Sequence, residues 1–138
     1  MNTSPYRLVR RANQVQPPPV LDENQQRVVD HAGGPLLVLA GPGTGKTTTI
    51  VEAVVDRIDN RGVDPSRILV LTFSRKAAQE LRERITARLR RTTREPLALT
   101  FHSYAYALIR REFQRVGDLP PRLLSGPEQL MEVRELLA

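Results

Sequence analysis

The chain is 138 residues long, 40% apolar, and carries a formal net charge of +6. It has no cysteine, which excludes disulfides and thiolate metal sites and points to a cytoplasmic setting. No apolar run approaches the roughly 18 residues of a membrane span, and the N-terminus lacks the charged-then-apolar layout of a signal peptide. Of the 21 basic residues 19 are Arg, the only lysines being Lys46 and Lys76. An Arg-rich surface offers planar forks suited to phosphate and so to a nucleic acid, although genomic codon bias produces the same excess.

Residues 1–20, with Arg7, Arg10, Arg11 and the run Pro17-Pro18-Pro19, show neither helical nor strand periodicity and read as an extended arm, either solvated or touching phosphate. Leu21 to Ala32 predicts a short helix with Asp22 as N-cap and Gln25, Val28 and Val29 along it. Gly33-Gly34-Pro35 ends it. Leu36 to Ala40 is a near-continuous apolar run, the pattern of a parallel strand covered on both faces.

Ala40-Gly41-Pro42-Gly43-Thr44-Gly45-Lys46-Thr47 follows that run directly and has the form G-x-x-x-x-G-K-[ST], with Ala40 in the first position. Glycines let successive N–H groups curl inward toward phosphate oxygens, and the positive end of the next helix adds to the attraction. Lys46 is placed to neutralise the β- and γ-phosphates of a nucleotide, and the Thr47 hydroxyl to coordinate Mg²⁺.

The helix after this cradle carries Ile50, Ala53, Val54 and Ile58 at helical spacing and stops at Gly62. Ile68 to Phe73 reads as the second strand. A helix over 75–91 follows, with Ala77, Ala78, Leu81, Ile85 and Leu89 inward. Leu97 to Phe101 is the third strand, and the helix after it, about Ser103 to Val116, turns Ala105, Leu108, Ile109 and Phe113 inward. Three strand–helix units of these lengths imply an α/β fold, a parallel sheet with ligands beyond the carboxyl ends of its strands. Two of those ends echo each other, Thr72-Phe73-Ser74 and Thr100-Phe101-His102. A hydroxyl beside an exposed aromatic suits a nucleic-acid backbone and base; the alternative is that both rings cap the core.

These segments resemble the superfamily 1A (UvrD-like) DNA helicases. Leu21-Asp22-Glu23-Asn24-Gln25 resembles the adenine-recognising Q motif, Ala40 to Thr47 motif I, Thr72 to Leu81 motif Ia, and Thr100-Phe101-His102-Ser103 motif Ib. The resemblance implies a P-loop, RecA-like first motor lobe over residues 21–116 and the start of a helical inserted subdomain over 117–138, with Leu124 to Leu137 as its first helix. It implies that Gln25 hydrogen-bonds adenine and that ATP and Mg²⁺ are held by Ala40 through Thr47, with Thr48 where the family often has an Arg near the base. Thr72, Phe73, Ser74, Arg75, Thr100, Phe101, His102 and Ser103 would contact single-stranded DNA.

The family's Asp-Glu motif, second RecA-like lobe and arginine fingers have no counterpart here, so the chain reads as the N-terminal piece of a longer motor acting in DNA repair or recombination, inactive alone. The Arg preference and the arm resemble actinobacterial members, including helicase-nuclease heterodimers, which would add a second subunit as partner. Taken alone, the cradle also allows a P-loop kinase or ATPase of another class, or a module that holds nucleotide or DNA without turnover; Gln25 and the paired Thr-Phe ends weigh against the former.

Overall fold

The computed structural model describes residues 17–89 and 97–137. Most of the arm, residues 1–16, and the end of the third predicted helix, Arg90 and Arg91, lie outside them. The chain divides at Thr100 into two compact units, each described by itself. Among the described residues no helix is long and apolar enough to cross a membrane.

The first unit holds α1 (Glu23–Asp30), α2 (Lys46–Asp59), a 3₁₀ turn (Pro65–Arg67), β1 (Leu69–Thr72), α3 (Arg75–Arg88) and β2 (Leu97–Thr100). Its helix starts are written in the sequence. Asp22 closes α1 with a reciprocal capping box, Asp64 accepts from the Ser66 amide at the 3₁₀ turn, and Ser74 accepts from the Ala77 amide at α3. The strands β1 and β2 pair in parallel with Leu69 opposite Leu97 and Thr72 opposite Thr100. The crossover between them is α3, the connection a parallel pair requires.

The core lies between α2, α3 and the strands. Val51, Val54, Val55 and Ile58 of α2 meet Leu81, Ile85 and Leu89, with Ala98 of β2 behind them and Ile68 and Val70 partly buried alongside. Burying a Val or Ile is worth about 2 kcal/mol, so this α2 stripe contributes substantially to holding the unit together. An ion pair seals its flank: Arg88 Nε and Nη2 each lie 2.7 Å from a Glu52 carboxylate oxygen, and the two side chains retain only 12% and 11% of their surface. The hydrogen bond to Glu52 raises the Arg88 pKa further above its ordinary value.

Several expectations are corrected. Leu36 to Ala40 is not a strand: no strand among the described residues pairs with it, and Leu37 and Leu39 are 82% and 86% exposed. Apolarity marks a segment fit for a sheet interior, but a strand exists only where another supplies its hydrogen bonds, and among the described residues neither β1 nor β2 pairs with this segment. The described sheet therefore has two strands rather than three. On α2, Ile50 is exposed, Ala53 half-buried, and Val51 and Val55 are buried instead. Ala77 of α3 is likewise only half-buried.

The second unit holds α4 (Phe101–Val116) and α5 (Gly126–Leu136). None of the residues expected inward on α4 is buried: Ala105, Leu108 and Ile109 are exposed and Phe113 is intermediate. Helical spacing identifies an apolar face without identifying what covers it. The Tyr106 hydroxyl donates to the Pro121 carbonyl at 3.0 Å, folding the connection back onto α4.

At the start of α5, one Glu128 oxygen accepts from the Ser125 amide and hydroxyl, each at 2.7 Å, while Arg122 pairs with the other. The Ser125 amide, then Arg122, then the Ser125 hydroxyl hold the Glu128 pKa down at about 2, against an ordinary 4.5. A carboxyl depressed by folding stabilises the fold fully above its free value and loses that contribution as pH falls through its folded value. The α5 N-terminus is thus expected to stay capped at pH 4.5 and to fray on approach to pH 2. Carboxyl titration by NMR checks this, and a Glu128 midpoint at 4.5 contradicts the capping geometry.

Candidate nucleotide-binding site

Gly43 and Gly45 adopt φ of 76° and 77°, a left-handed conformation that side-chain-bearing residues rarely enter. Gly45 is also the N-cap of α2. Having no side chain, it leaves the helix without a side-chain cap, whereas α1 and α3 are closed by Asp22 and Ser74. The first helical hydrogen bond runs from the Thr49 amide to the Gly45 carbonyl at 2.9 Å, so the amides of Lys46, Thr47 and Thr48 precede the intrahelical ladder. They are available to an anion at the positive end of a 14-residue helix.

The loop is braced from within. The Thr44 hydroxyl donates to the Gly41 carbonyl at 2.8 Å. The Lys46 ammonium folds back over the loop, donating to the Gly41 carbonyl at 2.5 Å and the Ala40 carbonyl at 3.3 Å. That places the cation in the concavity while its side chain stays exposed. Thr49, not singled out by sequence, is buried and returns its hydroxyl to the Gly45 carbonyl at 3.1 Å, fastening the first turn.

Gln25 stands beside the loop and is occupied on both sides of its amide. Its oxygen accepts from the Asp22 amide at 3.0 Å, and its nitrogen donates to the Thr44 carbonyl at 3.1 Å. A methyl group added at Gly45 would sit 2.5 Å from that nitrogen. Gln25 thus joins α1 to the cradle. The capping half of this role was legible in the spacing Asp22-x-x-Gln25; the contact to Thr44, nineteen residues away, was not. A cavity of about 760 Å³ opens here, lined by Gln25, Val28, Leu37, Lys46 and Ile50 among others. Its size suits a nucleotide-sized ligand.

The expected DNA-contacting residues are distributed differently. The strand register sets Thr72 opposite Thr100, and each is followed in sequence by a Phe. Phe73 is 87% exposed and thus no core residue of the first unit, while Thr100 is 7% exposed. Ser74 caps α3 and Arg75 opens it, both exposed. Phe101, His102 and Ser103 form the exposed first turn of α4 in the second unit.

Residues 21–137 match the UvrD/REP helicase N-terminal domain. The chain belongs to that family. Over 118 residues it is 38% identical to the ATP-dependent DNA helicase Rep of Escherichia coli, covering 84% of this chain and 18% of Rep. It is also 38% identical over 98 residues to the ATP-dependent DNA helicase PcrA of Leuconostoc citreum, and 38% over 100 residues to UvrD1 of Mycobacterium leprae. Those matches cover 70% and 72% of this chain and 13% of each relative, so the chain spans less than a fifth of these proteins.

Replacing Gly45 with Ala forces a side chain into the left-handed region, which costs roughly 1–2 kcal/mol, and displaces the Gln25 amide from Thr44. Denaturant unfolding of Gly45→Ala is expected to show that loss, with a shifted Gln25 side-chain amide resonance. Unaltered stability would mean that residue 45 does not require this conformation.

Proposed function

We propose that the chain is the ATP-binding part of the first, RecA-like lobe of an ATP-dependent DNA helicase or translocase. The observation that carries this reading is the uncapped N-terminus of α2 behind two left-handed glycines, with the Lys46 ammonium folded into the same concavity. Rep and PcrA are ATP-dependent DNA helicases, which supports the choice of ATP and DNA over other P-loop chemistries.

In this reading the amides of residues 46–48 and Lys46 hold the phosphates, the Thr47 hydroxyl is a ligand for Mg²⁺, and Gln25 selects adenine from the adjoining cavity. A Mg²⁺ held by Thr47 would neutralise charge on the transferring phosphate. The amides do the same from positions fixed by the helix, and Lys46 joins them by exchanging the Ala40 and Gly41 carbonyls for phosphate oxygens. Residues 21–116 form the partial lobe and the residues from 117 on the start of an inserted helical subdomain. The whole protein works in the cytoplasm on single-stranded DNA, in repair or recombination, with a second RecA-like lobe closing the site and, in a helicase-nuclease, a second subunit. Phe73, with Thr72, Ser74 and Arg75, offers a stacking platform at the carboxyl end of β1, and Phe101, His102 and Ser103 of the second unit also contact the DNA.

In the full-length protein with saturating single-stranded DNA, Lys46→Ala is expected to lower ATP turnover by at least about 100-fold, some 2.7 kcal/mol of lost charge stabilisation. Turnover within about threefold of the unmodified protein would remove Lys46 from the site. For the DNA edge, Phe73→Ala is expected to weaken single-strand binding about tenfold at fixed salt, one stacked base being worth about 1–3 kcal/mol. Because the ring is 87% exposed, the melting temperature should scarcely move. Intact affinity in that variant argues that the DNA runs elsewhere.

A further inference from the structure

Helix α1 is eight residues long, and Val29 is its single buried residue. Two turns are too few to be stable or well placed on their own. Its position is set by side chains gripping its two ends. At the N-terminal end Gln25 donates to the Thr44 carbonyl of the cradle. At the C-terminal end the grip comes from Arg61, just beyond α2.

Arg61 uses every guanidinium nitrogen. Nε donates to Asp56 Oδ2 at 2.6 Å, Nη1 to the His31 carbonyl at 3.0 Å and Nη2 to the Val29 carbonyl at 2.6 Å. Val29 lies in the last turn of α1 and His31 is its C-cap, so these are carbonyls that a helix end leaves without helical partners. A cation there also meets the negative end of the α1 dipole. Asp56 anchors the fork on α2. Burial pushes its carboxyl up, but hydrogen bonds from Asn60 and Arg61 outweigh burial and leave its pKa below the ordinary value.

The consequence reaches the base pocket. Gln25 lies one helical turn before Val29, on the same side of α1. With Val29 as the only buried pivot, releasing the C-terminal end lets α1 swing and carries Gln25 away from the cradle. The planar three-way fork is what does the fixing; a point charge reaches Asp56 but does not span both carbonyls.

We infer that Arg61 is a positioning residue for base recognition: it pins the C-terminal carbonyls of α1 to the far end of α2 and so fixes where Gln25 stands beside the phosphate cradle. This rests on the nucleotide-site reading above.

The test compares Arg61→Ala, Arg61→Lys, Gln25→Ala and the Gln25→Ala/Arg61→Ala pair in the full-length protein, with ATP and GTP as substrates at saturating single-stranded DNA. Arg61→Ala is expected to raise the KM for ATP about fivefold, to keep kcat within about twofold, and to narrow the ATP-over-GTP preference toward that of Gln25→Ala. Arg61→Lys should lie between Arg61→Ala and the unmodified protein. The double variant should discriminate no worse than Gln25→Ala alone, because two residues acting through one contact are not additive. Should the alanine variant fail to fold, Arg61→Lys carries the test: its preference narrows while its melting temperature holds. An Arg61 variant with lower melting temperature and kcat but the full ATP-over-GTP preference overturns the proposal and leaves Arg61 a structural clamp. If Gln25→Ala itself keeps the preference, the adenine reading falls first and the role of Arg61 falls with it.

Discussion

A helix that is to offer its first amides to an anion has to do without the side chain that would otherwise cap them, and α2 meets that condition by starting at a left-handed glycine. Stability withheld at its end has to come from its flank. The stripe Val51, Val54, Val55 and Ile58 supplies it by packing on Leu81, Ile85 and Leu89 of α3, and the Glu52–Arg88 pair closes the same interface. An ion pair so nearly excluded from water adds little over an apolar pair of equal volume, yet losing one partner strands a charge, so it fixes the pairing of α2 with α3 more than it strengthens it.

Around this helix the cradle is held from three directions. Lys46 and Thr44 tie the loop to its own carbonyls, Thr49 ties the first turn to Gly45, and Gln25 ties the loop to α1. Each of these bonds ends on a carbonyl oxygen, so the bracing of the loop draws on none of the amides of residues 46–48.

How much of this was legible in the sequence depended on how far each interaction reaches. Caps at Asp22, Ser74 and Ser125 are decided within four residues, and α1, α3 and α5 begin where those residues place them. The glycine loop before α2 is equally local, since Gly43 and Gly45 specify its turns. Pairing is not local: Leu36 to Ala40 has the composition of an inner strand, but composition does not say which strand lies beside it. Ile50-Val51 and Val54-Val55 form two adjacent apolar pairs, and periodicity alone does not decide that Val51 rather than Ile50 joins the core, nor that both Val54 and Val55 do. Arg61 gave no signal at all, because its partners at Val29 and His31 are thirty residues away and are backbone carbonyls, which every residue carries. The exposure of Phe73 separated two readings that the repeated Thr-Phe pattern left open.

Ala98 is completely enclosed, and Arg82 of α3 reaches across to its carbonyl at 2.8 Å. A larger side chain at residue 98 finds no free volume, so it would part β2 from α3 and loosen the Arg82 contact; the fit of the strands on α3, and of α3 on α2, is sensitive to a residue that lines neither the cradle nor the outer ends of the strands.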